Sequence, residues 1–315
     1  NFVGPGVTAT ASGAGSTITV FGFVSDADEN LFAGTCAGGT YDPVSGSASY
    51  NIFLGSCAGK CITEGDYNVF LGDRAGQANT TGGRNFFVGG SAGIANTTGQ
   101  NNTFFGGFAG QENLSGSDNF FVGYTAGRCN TVGNNNIFFG SQAGTKNTTG
   151  SHNNFIGQVA GVGNTTGSYN TMIGMGAGRY ATVTGCDNTF LGRYAGKCAS
   201  GSGGRNNFIG FSAGLSNTTG SCNNFIGRCA GYCNTTGCNN TFVGSNVGIA
   251  NTTGSHNNMI GCGAGQCATV TGQHNTFLGS YAGKCASGSG SCNNFIGRDA
   301  GFNNTTGSQN NFIGH

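Results

Sequence analysis

The residues of this chain with chemistry to offer are fourteen cysteines, four histidines and eleven acids in 315 residues. Six cysteines (Cys61, Cys129, Cys198, Cys233, Cys267 and Cys285) each fall six residues past a recurrent glycine. Three of these have a partner a few residues upstream, giving Cys57/Cys61, Cys229/Cys233 and Cys262/Cys267. Cys222 and Cys238, and again Cys267 and Cys285, stand 16 and 18 residues apart. These nine are the candidate disulfide cysteines, since stacked equivalent positions would bring thiols to a bridgeable separation. Zinc is disfavoured: the spacings are not paired C-x-x-C motifs, and histidine is scarce.

Catalysis has little material. After Asp118 the acids are Asp187 and Asp299, far apart in the pattern, and His152 and His256 precede Asn-Asn in loop-like contexts. A Ser-His-Asp or two-carboxylate site would have to interrupt the repeat, and nothing does so after Tyr50. The expectation is no enzyme, no catalytic residue, no cofactor and no metal. Asp26, Asp28 and Glu29 form the one acidic cluster, without the spacing of a calcium loop.

The elements that must position these residues come from one repeated unit. Its landmark is the glycine closing N-x-Φ-Φ-G, where Φ is apolar or aromatic. It occurs seventeen times from Gly34 to Gly314, with a first step of 21 residues and later steps of 17 or 18. Asn stands four residues before every landmark: Asn30, Asn51, Asn68, Asn85, Asn102, Asn119, Asn136, Asn153, Asn170, Asn188, Asn206, Asn223, Asn240, Asn257, Asn275, Asn293 and Asn310. Phe stands two before it at Phe32, Phe53, Phe70, Phe87, Phe104, Phe121, Phe138, Phe155, Phe190, Phe208, Phe225, Phe242, Phe277, Phe295 and Phe312, with Met172 and Met259 as exceptions. Ala-Gly follows three residues after the landmark, Val247 replacing Ala once.

Seventeen residues are too few for a strand-helix-strand unit but suffice for one turn of a β-solenoid. The reading is therefore all-β: a parallel β-solenoid of about seventeen coils over residues 30–315. An enlarged loop falls at 39–50, and residues 1–29 form a separate N-terminal β segment that could serve in assembly. In that segment Val7–Ala11 and Ser16–Val24 read as strands joined by Ser12–Gly15. Each coil is expected to hold two short strands and two corners, Gly-x-x-Ala-Gly and Asn-Thr-Thr-Gly. Coils rising by one strand spacing, roughly 4.8 Å, would make a rod on the order of 80 Å long. Phe then forms a core column and the invariant Asn an amide ladder. The residue between Phe and the landmark is aliphatic or Phe in every copy from Leu54 onward and, by strand alternation, faces out. An apolar stripe of that length predicts burial against further copies of the chain.

Bulk composition excludes several classes. Charged residues are 7% and net charge is +1, which leaves no footprint for nucleic acid or an anionic membrane. No apolar run reaches the roughly 20 residues of a membrane span. With 64 Gly but 2 Pro, a collagen triple helix is excluded. Without a starting Met or a signal-peptide pattern, the chain is either processed or a fragment.

Many cysteines, little lysine and abundant sequons suggest an extracellular, cell-surface or virion-surface setting. Candidate glycosylation sites are Asn79, Asn96, Asn113, Asn147, Asn164, Asn217, Asn234, Asn251 and Asn304. Asn-Thr-Thr-Gly is also good turn chemistry, and a repeat copies a sequon along with its turn.

The run N-T-T-G-S-Y-N-T-M-I-G (Asn164–Gly174) and its relatives resemble the seventeen-residue repeats of phage-type tail-fibre and bacterial surface proteins. They also resemble the β-roll head of trimeric autotransporter adhesins. The resemblance covers residues 30–315. It implies a left-handed parallel β-roll, commonly with three chains side by side and their apolar strand faces turned to a shared axis.

Two functions remain open. One is a structural subunit of an extracellular fibre, a homo-oligomer that is either a trimer or a head-to-tail filament. The other is a binding surface, an adhesin or tail-fibre head for surface glycans. An ice-binding array of stacked threonines such as Thr97, Thr148, Thr165, Thr218 and Thr252 is a weaker variant of the latter.

Overall fold

The computed structural model describes residues 8–10, 17–19, 24–25, 28–39, 48–180, 184–199, 201–267, 271–286, 289–305 and 307–314. Strands are numbered in chain order. β1 (Thr8–Thr10) and β2 (Thr17–Thr19) pair antiparallel, with Ala9 opposite Ile18. β3 (Val24–Ser25) runs antiparallel to β4 (Leu31–Ala33). The predicted strand at Ser16–Val24 contains β2 and the first residue of β3; residues 20–23 and the join at Ser12–Gly15 lie outside the described residues.

The chain divides into two compact units, residues 1–132 and 133–315. A solenoid coil contacts only its neighbours, so a division can fall between any two coils. In the first unit, β4 is followed by β5 (Ile52–Leu54), β6 (Val69–Leu71), β7 (Phe86–Val88), β8 (Thr103–Phe105) and β9 (Phe120–Val122). In the second lie β10 (Ile137–Phe139), β11 (Asn154–Ile156), β12 (Thr171–Ile173), β13 (Thr189–Leu191), β14 (Asn207–Ile209) and β15 (Asn224–Ile226). They continue as β16 (Thr241–Val243), β17 (Asn258–Ile260), β18 (Thr276–Leu278), β19 (Asn294–Ile296) and β20 (Asn311–Ile313).

Within each unit neighbouring strands pair parallel and in register, for example Phe53 with Phe70 and Phe155 with Met172. This is the predicted β-solenoid. No helix occurs among the described residues. The 21-residue first step is one coil, since Leu31 still pairs with Ile52.

Among the described residues each coil holds one three-residue strand, not two. The second predicted stretch is a run of turns, because glycine and left-handed residues bend it too sharply for extended backbone. It still bonds to the next coil: the Gly161 N–H donates to the Ala177 carbonyl at 2.9 Å, and Thr148 N–H to the Thr165 carbonyl at 2.8 Å.

The core is four columns of side chains. Phe rings stack from coil to coil with centroids 4.8 Å apart for Phe53–Phe70 and 4.9 Å for Phe138–Phe155. That distance is one strand spacing, so the ring stack is a consequence of register. From Phe53 to Phe295 the predicted column is buried, while Phe32 is half-buried and Phe312 is 43% exposed. The alanines after the landmark, such as Ala160, are fully buried beside it.

The predicted Asn ladder is also interior. The Asn153 N–H donates to Asn136 Oδ1 (2.9 Å), its own Oδ1 accepts from the Asn170 N–H (2.9 Å), and its Nδ2 donates to the Gly167 carbonyl (2.8 Å). A second ladder, unforeseen, is formed by the Asn of Asn-Thr-Thr-Gly. Asn164 Nδ2 donates to Asn147 Oδ1 (2.7 Å) and to that same Gly167 carbonyl (3.0 Å).

These columns leave no space for side chains at the glycines. A Cβ on Gly157 (φ +130°) would lie 2.8 Å from the Gly174 carbonyl of the next coil, and one on Gly161 (φ +60°) would enter the Phe155 ring. More surprising are thirty-one non-glycine residues among those described with φ between 53° and 61°. They fall at two places, just before the ladder Asn (Tyr67, His152) and two residues past the landmark (Val159, Tyr194). Coil-to-coil hydrogen bonding holds them there, as when the Val159 N–H donates to the Ser141 carbonyl at 3.0 Å.

Three substitutions test this account by thermal melting. Asn153→Leu should cost about 2 kcal/mol or more, because the Asn170 N–H loses its buried acceptor. Gly161→Ala should cost about 3 kcal/mol or more through clash and left-handed strain. Val159→Gly should be neutral or stabilising by up to about 1 kcal/mol, because it relieves a β-branched left-handed residue.

Candidate assembly surface

Strand alternation puts Phe inside and its two neighbours outside. The outward residue next to the landmark is never buried, as predicted. In the first unit Phe105 is exposed, with Leu54, Leu71, Val88 and Val122 half-buried. In the second unit Phe139, Ile156, Ile173, Ile260, Leu278 and Ile296 are exposed.

The other outward column was not anticipated. Through the first unit it is largely apolar (Ile52, Val69, Phe86 and Phe120), and Ile137 opens the second unit in the same way. From Asn154 onward it is Asn or Thr, as at Thr171 and Asn224. Comparing this position across coils, instead of treating it as free to vary, would have exposed the change. The first unit therefore presents a strand face two apolar columns wide. The second presents one apolar column beside a polar one, where Asn207 Nδ2 donates to Asn224 Oδ1 (3.0 Å).

None of the candidate cysteines Cys57, Cys61, Cys222, Cys229, Cys233, Cys238, Cys262, Cys267 and Cys285 is in a disulfide. The expected pairs are therefore not bonded within the chain. Cys57, Cys222 and Cys229 occupy left-handed positions that the spacing argument ignored. Burial raises the Cys233 thiol above its usual value.

The sequon asparagines call for a correction. Asn79, Asn96, Asn113, Asn147, Asn164, Asn217, Asn234 and Asn251 are buried in the second ladder, and Asn304 is half-buried with Nδ2 donating to the Gly307 carbonyl at 3.2 Å. Their amides are spent on the coil stack and face no glycan-transferring enzyme in the folded chain. Asn101, Asn239 and Asn303 are the exposed sequon residues.

The first threonine of the turn is also engaged: Thr97 Oγ1 donates to the Leu114 carbonyl (2.9 Å) and Thr218 Oγ1 to the Thr235 carbonyl (2.9 Å). The expected hydroxyl column is thus half-buried and bonded to backbone, which removes the basis for an ice-binding array.

The place before the ladder Asn carries three exposed pairs of stacked rings. Tyr50 stacks on Tyr67, His152 on Tyr169 and His256 on His274, with centroids 4.9, 4.8 and 4.8 Å apart. Among the described residues no three His, Cys, Asp or Glu gather to hold a metal ion. Asp26 lies outside them, and the carbonyl of Asp28 accepts from the Tyr50 N–H at 3.1 Å. No helix among them is long and apolar enough to cross a membrane.

Comparison with family models, with curated proteins and with solved structures finds no match.

Two outcomes follow. Mass spectrometry of protein from a glycosylating host should find the eight fully buried sequons unmodified, with any glycan at Asn101, Asn239 or Asn303. On the reduced chain at pH 8, Cys233 should alkylate more slowly than exposed Cys222, because a raised pKa leaves less thiolate.

Proposed function

We propose that this chain is a structural subunit of an extracellular fibre on a cell or virion surface, formed by copies of itself. The observation that carries the reading is the unbroken apolar column on the strand face of each unit, at its widest from Ile52 to Phe120. Soluble monomers rarely leave so regular an apolar face open. The likeness to tail-fibre and adhesin-head repeats favours side-by-side packing of these faces.

End-on stacking into a filament is compatible with the same fold. A coil asks of its neighbour only ladder partners and strand backbone, and any copy of the repeat supplies both. With none of the nine candidate cysteines in a disulfide within the chain, staples would join one copy to another. The reading includes no enzymatic role, since each coil spends its invariant residues on stacking.

A second reading, an adhesin-like head for surface glycans, is favoured by a cluster of cations and tyrosines around Tyr194.

Electron microscopy and sedimentation test the fibre reading, with reducing and non-reducing gels for the staples. Wild type should form fibres or oligomers. Phe86→Glu with Phe120→Glu should weaken association at least about tenfold while leaving the melting temperature nearly unchanged, since both side chains are exposed. A wild-type chain that stays monomeric at high concentration would overturn it.

A further inference from the structure

The chain is almost without charge, so any place where charge collects stands out. In the second unit, three cations gather at the Gly-x-x-Ala-Gly corner of two successive coils. The Arg179 guanidinium lies 4.9 Å from the Tyr180 ring centroid, and that of Arg193 lies 4.7 Å from Tyr194. Lys197 Nζ is 5.4 Å from the Tyr180 centroid and 4.7 Å from that of Tyr194. Gly176 makes room for this packing, since a Cβ there would sit 2.8 Å from Tyr194 Cδ1.

None of the three cations is in an ion pair among the described residues. The acids nearest in sequence are Asp118 and Asp187, and Asp187 belongs to the opposite corner of its coil. The Tyr194 hydroxyl reports the resulting field. Its pKa is lowered, first by the hydrogen bond from Arg193 and, against some desolvation, by the charges of Arg193, Lys197 and Arg179. Next to the cluster is a groove of about 340 Å³ lined by Lys146, Val162, Gly163, Thr165, Arg179 and Tyr180 among others.

The molecule holds its own control. A block 87 residues further on repeats this one, with Tyr281 and Lys284 in the places of Tyr194 and Lys197. There Gln266 replaces Arg179, Ser280 replaces Arg193, and the Arg298–Asp299 pair (3.2 Å) occupies the places of Phe211 and Ser212. The coil fold accepts either set, so stacking does not require the cations of the first block.

We propose that the corner bearing Arg179, Arg193 and Lys197, with its adjoining groove, binds an anionic glycan carrying sulfate or carboxylate groups. Unpaired guanidinium and ammonium groups supply charge-assisted hydrogen bonds to such groups. The groove, with Val159 and Val162, offers apolar surface for a sugar ring. Single-stranded nucleic acid fits less well: it needs open aromatic faces for stacking and a longer basic track. Here the rings of Tyr180 and Tyr194 already lie under cations. The inference rests on the glycan-binding reading and is independent of the fibre reading.

The test measures binding of the full chain to a sulfated polysaccharide (heparin), a uronate polymer without sulfate (polygalacturonate), neutral dextran and single-stranded DNA over a range of salt. The key variant is Arg179→Gln with Arg193→Ser, the residues of the later block. It should melt like wild type. Wild type should bind heparin, polygalacturonate or both more tightly than dextran or DNA, and the choice between the two anionic polymers identifies the group that is read. The double variant should lose roughly tenfold or more in affinity, with a shallower salt dependence. Lys284→Gln should change nothing, and Lys197→Gln provides a second, single-site reduction. Wild-type glycan binding that survives in the double variant and in Lys197→Gln would overturn this site but not the glycan reading. No preference of wild type for either anionic polymer over dextran, or equal binding of DNA, would overturn both.

Discussion

Register is the constraint on which everything else in this structure depends. Each coil sits on the next with equivalent residues opposed, so a buried polar group has its partner on a neighbouring coil or nowhere. The Gly167 carbonyl shows how tight the arrangement is, receiving Nδ2 of Asn153 from one side and of Asn164 from the other. An amide suits this position because it both donates and accepts along the stacking direction, which a carboxylate or an ammonium cannot do without burying charge. The low charge content follows from the same constraint. A charged residue repeated in every coil would stand one strand spacing from its copies and repel them.

Backbone geometry is subordinate to that register. The landmark glycines are required by close approach of the next coil, and the glycines after Ala by the Phe ring. The left-handed non-glycine residues show the converse. Where the side chain has open space, the coil imposes positive φ on Val, Tyr or Arg alike and holds it with inter-coil hydrogen bonds. Local propensity at Val159 or Tyr194 argues against the conformation those residues adopt, and the stack overrides it.

Much of this was legible because a repeat averages away local ambiguity. Asn153 was placed correctly because every copy agrees, Phe155 because all but the two Met copies do, and the outward aliphatic column because strand alternation leaves no other choice. Other parts failed for identifiable reasons. Asn164 reads as a turn residue or a sequon, since Asn-Thr-Thr-Gly is a strong local signal and burial is a property of the stack. The expected second strand was lost to corners whose left-handed residues carry no glycine to announce them. The cysteine pairs were inferred from spacing alone, and spacing says nothing of the direction of a side chain on a left-handed backbone. The cluster around Tyr194 was missed because it is a departure from the repeat, and attention to the consensus hides departures.

The second ladder also marks where the stack is weakest. Asn164 Oδ1 and Asn251 Oδ1 are buried without a hydrogen-bond partner. In sequence the next coil carries Ala181 after the first and Ala268 after the second, and alanine has nothing to donate. Both interruptions recur at the 87-residue interval of the duplicated block. In a one-dimensional crystal such points would be line defects, the planes along which it cleaves under load. Here they lie one 87-residue block apart, so a stack under load would part at the period of the repeated block.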